Sequence, residues 1–427
     1  MLTTHHRMMA TGVLCLASVL SQAAPAQASG FQLREQSAEG MGNAFAGATA
    51  KALDLSTIFY NPAGMTRLQG NAAQGDVAYV MPRSTFSGQA NRNTGVGGGV
   101  VPGGSGGDAG VDTPLPSIYA MMSVSPDLKL GLAINTPYGL ETDYDDDWVG
   151  RYMALNSKLM TIDITPSAAY RLNSRLSVGG GLNIQYASAK LTNAVDNRLA
   201  GSASDGTAEV TGDDWGVGVN LGLMYEFSPT SRVGLNYRSR VLHELEGKTN
   251  YTGVVNAGAL SRLVDSDATA KLTTPDTFSV GIYHELSPQW AVMGEAQYTN
   301  WSLFDHLTVD NQTGADSYVN EDWKDTVFLS AGATYKPSEK WKFQGGIAVD
   351  QSPVPEAHRT ARIPDQDRLW LSAGLGYQLT EGMALAASYT HIFVRDADMN
   401  ESSSFGKLVG TYDGQVDIIS ASLKASF

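Results

Sequence analysis

Beyond residue 70 the chain runs in stretches of about ten residues whose apolar and polar positions alternate, the period-2 mark of a strand with two unlike faces. The clearest is Trp215 to Phe227. Its odd positions are Trp215, Val217, Val219, Leu221, Leu223, Tyr225 and Phe227; its even ones are Gly216, Gly218, Asn220, Gly222, Met224 and Glu226. Aromatic side chains at both ends of one face suit the two interfaces of a bilayer. Leu369 to Leu379 repeats the pattern, as do Trp290 to Trp301 and the closing Ile419, Ala421, Leu423, Ala425 and Phe427. A soluble β-sandwich also alternates, so the period alone leaves two classes open.

Loop lengths separate them. The pattern predicts strands near 74–81, 115–124, 129–138, 157–171, 176–187, 215–227, 232–245, 271–285, 290–301, 325–335, 341–350, 368–378, 383–393 and 416–427. Connections after even-numbered strands are turns of four or five residues, such as Ser125-Pro126-Asp127-Leu128 and Leu286-Ser287-Pro288-Gln289; the others are longer and polar or glycine-rich. Short turns at one end and long loops at the other are the habit of outer-membrane barrels, and a sandwich has no reason for such parity. The expected fold is a 14-stranded antiparallel transmembrane β-barrel over residues 71–427, in the outer membrane of a Gram-negative bacterium.

Fourteen strands lie between the roughly eight that fill their own lumen and the 16 or more that leave an aqueous pore. Such a lumen needs an occupant. Residues 29–70 are rich in small side chains and lack alternation, so they are expected to form a hatch, or plug, inside it.

Residues 1–28 read as a signal peptide. Arg7 gives the positive start, Thr11 to Leu20 the apolar core, and Ala26-Gln27-Ala28 a small-x-small cleavage site. The apolar run is too short for a membrane helix, which needs about 20 residues. The single cysteine, Cys15, lies within it, so the exported chain has no thiol for a disulfide or thiolate metal site. Losing Arg7 leaves 28 of the 29 basic residues against 43 acidic ones, a net charge of −15. That balance argues against a nucleic-acid partner.

The motifs that could carry catalysis or bind metal each fail on context. Asp143, Asp145, Asp146 and Asp147 hint at a calcium loop, but Trp148 stands where the EF-hand glycine belongs and Ala154 where its glutamate belongs. Gly103 to Gly107 satisfies the nucleophile-elbow pattern without the strand and helix that give it meaning. His243-Glu244 and His284-Glu285 lack a second histidine four residues on. No catalytic residue, metal site or cofactor is expected, and the chain is read as a non-enzyme.

Within residues 29–70, Asn61 can cap a short helix that Pro62 starts with its fixed φ. Gly30-Phe31-Gln32-Leu33 followed by Asn61-Pro62-Ala63 resembles the FadL/TodX family of outer-membrane long-chain fatty acid and hydrocarbon transporters. So do Ala169-Tyr170-Arg171-Leu172-Asn173, Asp350-Gln351-Ser352-Pro353-Val354-Pro355 and Ile363-Pro364-Asp365-Gln366-Asp367-Arg368. The resemblance runs along the whole mature chain. It implies a 14-stranded barrel with an N-terminal hatch, capture of ligand near the outer loops, and exit through a side opening in the wall. Phe31, Asn61, Pro62 and Ala63 are the expected gate. Phe427 matches the family's C-terminal aromatic, read by the barrel-assembly machinery.

Pro137, Tyr138 and Gly139 resemble the place where the family's third strand kinks and opens the wall. The physics agrees, because Pro lacks a ladder donor and Gly weakens strand pairing. The function implied is passive uptake of hydrophobic molecules, with long-chain fatty acids first and neutral aromatic or aliphatic hydrocarbons as the alternative. In fatty-acid-carrying relatives an arginine is expected just after a Tyr-Ala-x-Ala-Lys stretch. Here Tyr186-Ala187-Ser188-Ala189-Lys190 keeps the lysine, a candidate ligand contact, but the arginine slot is Asn193. Expected partners are the hydrophobic solute, outer-membrane lipid and lipopolysaccharide, and the assembly machinery, with the chain acting as a monomer.

Overall fold

The computed structural model describes residues 30–202 and 204–427. The proposed signal peptide and Ser29 fall outside them. Twenty strand segments form one antiparallel sheet. In chain order they are β1 (Ala72–Arg92), β2 (Thr113–Ser123), β3 (Leu128–Asn135), β4 (Gly139–Asp143), β5 (Asn156–Arg171), β6 (Leu176–Val195) and β7 (Gly206–Ser228). Then come β8 (Ser231–Arg238), β9 (Val241–Thr252), β10 (Ser266–Thr274), β11 (Thr277–Glu285), β12 (Trp290–Thr299), β13 (His306–Asn311) and β14 (Ser317–Asn320). The last are β15 (Thr326–Tyr335), β16 (Trp341–Asp350), β17 (Arg368–Thr380), β18 (Met383–Val394), β19 (Ala397–Ser402) and β20 (Gly406–Ser426).

Three crossings are broken in two: β3/β4, β8/β9 and β10/β11. The hairpin β13–β14 and strand β19 are additions at the long-loop end. The wall therefore has fourteen strands, as the loop parity predicts. It closes where β1 pairs with β20, from Ala72↔Ser426 to Arg92↔Gly406. No helix among the described residues is long and apolar enough to cross a membrane; the wall crosses with strands.

The distribution of polarity is inverted relative to a soluble protein. Val217, Leu221, Ile282, Leu371 and Ile419 face outward and are exposed, while Gln74, Asn183, Gln185 and Asn220 face inward and are buried. Outward ring pairs, Trp215 with Tyr186 and Trp290 with Tyr335, mark two ends of the apolar band. Several strands run further than their apolar alternation: β1 to Arg92, β7 back to Gly206, β20 back to Gly406. These extensions stand above the lipid-facing band, where no apolar face is needed and the alternation fades.

Residues 30–70 lie in the lumen. They form three single-turn helices, α1 (Ala38–Met41), α2 (Ala48–Lys51) and α3 (Thr57–Tyr60), and a 3-10 helix over Pro62–Arg67. Nearly every residue from Gly30 to Thr66 is buried. Room for them comes from glycines at inward wall positions. A Cβ at Gly222 would sit 2.1 Å from Asn61 Oδ1, one at Gly234 2.1 Å from Thr49 O, and one at Gly346 2.1 Å from the Asn43 carbonyl carbon. Gly131, Gly179 and Gly374 approach Met65, Ala63 and Gly42 in the same way, so the lumen segment meets bare backbone on β3, β6, β7, β8, β16 and β17.

Candidate functional site

The seam between the second and third crossings is broken. β2 and β3 pair from Ser123↔Lys129 to Ile118↔Ile134, and there their ladder stops. β2 continues to Thr113 against β1, while β4 pairs with β5. Between Asn135↔Asp163 and Gly139↔Met160 the third crossing spends four steps against three on β5, so it carries one extra residue. A bulge of this kind bends the strand and resets which side chains face inward. The extra residue falls within Thr136-Pro137-Tyr138, where Pro137 has no N–H to give. Pro137, Tyr138 and Gly139 therefore lie at this break.

The lumen segment occupies this seam. Leu33 N donates to Pro137 O at 2.8 Å, Gly139 N donates to Phe31 O at 2.8 Å, and Gln32 bridges Tyr138 as a short antiparallel strand would. Gln36 then spans the break. Its Nε2 donates to Thr136 O at 2.7 Å, while its Oε1 accepts from Ser117 Oγ at 2.9 Å and Asn135 Nδ2 at 3.2 Å. Tyr119 OH donates to Gln36 O at 2.7 Å. Hydrogen-bonding groups that β2 and the third crossing would otherwise exchange are thus met by residues 31–36. Nothing in the alternation of the sequence singles out Gln36; a strand-like triplet beside a polar residue was the available signal.

Directly beside the seam, towards the long-loop end, lies a cavity partly open to solvent. Leu140, Leu159, Ala189, Leu191, Leu245 and Leu272 line it from the wall, and Phe31 from the lumen segment. Phe31 is clasped by loop aromatics, with ring centroids 4.6 Å from Trp301, 5.4 Å from Trp323 and 5.6 Å from Phe304. Gly30 N donates to Asp365 Oδ2 at 2.9 Å. An apolar lining of this kind suits a hydrophobic ligand or part of a long chain.

The ionisable side chains that line the cavity are Glu321 and Arg362; Lys158, on the β5 stretch that borders it, stands opposite Lys190 in the ladder and shares its outward face. Lys158 is paired with Glu141 at 3.1 Å. Glu321 Oε2 accepts from Trp323 Nε1 at 2.9 Å, and burial pushes its carboxyl up to about 8. Arg362 donates to Ser157 Oγ at 3.0 Å, to Thr192 O at 3.3 Å and to Asn193 Oδ1 at 3.3 Å. Burial lowers Arg362 from the ordinary arginine range, against the pull of Glu401 and Glu321. Sequence reasoning missed Arg362, which sits in a loop whose motif value lay in its neighbours Ile363 to Arg368.

The remaining expected residues are spread apart. Lys190 points out of the wall, away from the cavity, and pairs with Glu209 at 2.7 Å in a half-exposed contact; its neighbours Ala189 and Leu191 are the ones that face inward. Asn61 caps the 3-10 helix, accepting from Ala63 N at 3.1 Å, as its sequence context predicts. Its Nδ2 also donates to Thr49 O at 2.8 Å and to Leu223 O at 3.0 Å, tying the lumen segment to β7. Asn61, Pro62 and Ala63 thus stand on the β6–β7 glycines, apart from Phe31 and the seam. Phe427 is exposed at the short-turn end and exchanges backbone hydrogen bonds with Asn71. His243 is tied to Gln185 and Asp214, and no cluster of metal-ligating side chains occurs among the described residues.

Comparison with known proteins agrees with this geometry. Residues 19–427 match the family model described as outer membrane protein transport protein (OMPP1/FadL/TodX). The chain belongs to this family. It is an outer-membrane β-barrel. The long-chain fatty acid transport protein of Escherichia coli O6:H1 is 30% identical over 402 residues, covering 86% of this chain and 87% of the relative. The crystal structure of a Pseudomonas aeruginosa FadL homologue superposes with a TM-score of 0.87 at 25% identity, covering 93% of this chain and all of that one. The Pseudomonas putida toluene transporter TodX shares the fold, with a TM-score of 0.69 at 15% identity over 94% of this chain and 100% of that one.

Proposed function

We propose that the chain is a passive channel through which hydrophobic molecules, long-chain fatty acids foremost, enter across the outer membrane. The observation that carries this is the double role of residues 31–36. Phe31 forms part of the capture cavity while Gln32 to Gln36 fill the broken seam beside it. A ligand settling against Phe31 competes with the contacts that hold this thread. Its withdrawal opens a path from the cavity towards the wall at Pro137–Gly139, so an apolar solute leaves sideways into the bilayer and never crosses bulk water. Residues 29–70 act as the hatch, with Asn61-Pro62-Ala63 as its fixed end. No energy source is required while consumption inside maintains the gradient.

In this reading the chain transports and does not catalyse. It works as a monomer in contact with lipid and lipopolysaccharide, and Phe427 marks it for the barrel-assembly machinery. The nearly unbroken apolar lining of the cavity favours neutral hydrocarbons as a second class of cargo.

Gly139→Arg tests the route. Gly139 N donates to Phe31 O within the seam, so a long cation there blocks the gap and faces an apolar exit. Cells carrying the assembled variant are expected to lose uptake of radiolabelled oleate, with assembly checked by the heat-dependent gel shift of intact barrels. Undiminished uptake through an assembled variant would falsify lateral exit. Wild-type bilayers should conduct little current; a large steady conductance would make the protein an open porin instead.

A further inference from the structure

Arg362 is a half-buried cation at the edge of an apolar cavity, and it forms no ion pair among the described residues. Its partners Ser157 Oγ, Thr192 O and Asn193 Oδ1 are neutral oxygens. Charges withdrawn from water are normally paired, because neutral acceptors alone do not repay their lost hydration. Two carboxyls lie in the neighbourhood, and each is engaged elsewhere. Glu321 accepts from the Trp323 indole and Glu401 accepts from Ala361 N at 2.8 Å. Burial lifts them to about 8 and about 7, so neither supplies a full negative charge near neutral pH. Lys158, on the same stretch of β5, faces outward beside Lys190 and is paired with Glu141.

We propose that Arg362 receives the anionic head of an amphiphilic cargo, a long-chain carboxylate, whose tail lies along Leu159, Leu191, Leu245 and Leu272. The guanidinium presents a planar fork matched to a carboxylate, and a charge-assisted pair of this kind is the strong form of hydrogen bond. The guanidinium arrives from the loop after β16 and donates to Asn193 Oδ1 on the inner side of β6. The head is thereby placed at the long-loop end of the cavity, with the tail free to run towards Phe31 and the seam.

The proposal rests on the cavity being the capture site, and the test separates the two. Purified protein in non-ionic detergent is titrated at pH 7.5 with oleate and with oleyl alcohol, which shares the tail and lacks the charge. Wild type is expected to hold oleate more tightly. Arg362→Gln should weaken oleate binding roughly ten- to hundredfold, the range for hydrogen bonds to a charged group, and leave the alcohol unchanged. Adding Asn193→Arg to Arg362→Gln should restore much of the preference, a rescue that a structural role for Arg362 does not predict. Equal affinity of wild type for acid and alcohol overturns the head-group proposal even if a variant fails to assemble, as does equal loss of both ligands in an assembled Arg362→Gln protein. Binding of neither ligand by wild type overturns the capture site as well.

Discussion

At Asn61–Arg67 the lumen segment rests on strand positions paired on both sides, whereas at Gly30–Gln36 it is threaded through a seam whose ladder has stopped. The first region meets β6, β7 and β8 at glycines, where backbone touches backbone and Asn61 bonds Leu223 O directly. Arg67 adds an ion pair with Glu226 on β7, and Arg232 on β8 donates to Ala50 O at 2.8 Å. These partners belong to full ladders and cannot move without opening the barrel. The second region is held by Gln36, by two backbone hydrogen bonds at the seam and by aromatic side chains in the loop after β12. Its partners are themselves incompletely laddered. One segment thus carries a fixed end and a releasable end, and the difference lies in what the wall offers rather than in the segment's own secondary structure.

The largest effect should follow from filling the glycine bed. Gly222→Ala with Gly234→Ala places methyl carbons against Asn61 Oδ1 and Thr49 O, and overpacking typically costs about 1–3 kcal/mol per site. The strain falls on the fixed end, so the whole lumen segment should be displaced and a steady ionic current should appear in planar bilayers. An unchanged, silent barrel would remove the contrast between the two ends. A finer cut compares Asn61→Ala with Gln36→Ala. The first loses a helix cap and two hydrogen bonds to backbone carbonyls and should lower unfolding stability by about 1–2 kcal/mol. The second should cost little global stability yet raise amide exchange at residues 31–36 roughly tenfold, since loss of about 1.4 kcal/mol multiplies an opening equilibrium by ten. If both variants loosened the same residues, the segment would be one rigid body.

The barrel was legible because lipid imposes a period on the strands that touch it. Trp215 to Phe227 declares its outward face residue by residue, and the short turns fix the strand number. Strand ends were less legible: β1 continues past the alternation to Arg92, beyond the reach of the apolar band. The seam was readable at Pro137 because a missing N–H is a property of the residue itself. Its partner, Gln36, was not, since a glutamine signals nothing until the gap it fills is known. Arg362 was hidden for a similar reason. It is brought to Asn193 by a loop after β16, a juxtaposition across 169 positions that no local pattern encodes. The glycines were visible as the polar face of β7 and β17, but only the packed lumen segment shows why that face must be bare.

The smallest expected effect is one of pH on the releasable end. Glu35 sits within the thread, fully buried, with Oε2 left without a hydrogen-bond partner. Burial raises its carboxyl from 4.5 to about 7, against the opposing influence of its own backbone N–H, Arg34 and Arg368. When the thread withdraws into water the ordinary value returns. The seated state therefore binds more protons over the interval between the two values, and its stability must fall as pH rises through it. The contribution is complete below about 4.5, declines through neutrality and is lost once pH passes about 7. A shift of this size corresponds to roughly 3 kcal/mol at the upper end, less whatever the two arginines recover by moving. Exchange at residues 31–36, corrected for its intrinsic pH dependence, should be faster at pH 8 than at pH 6, whereas residues 61–67 should show no such change. Glu35→Gln should flatten the profile at the slow, low-pH level, because an amide has no proton to lose. A wild-type profile that is already flat would mean that Glu35 is ionised in both states, and the release of the thread would then depend on Gln36 and Phe31 alone.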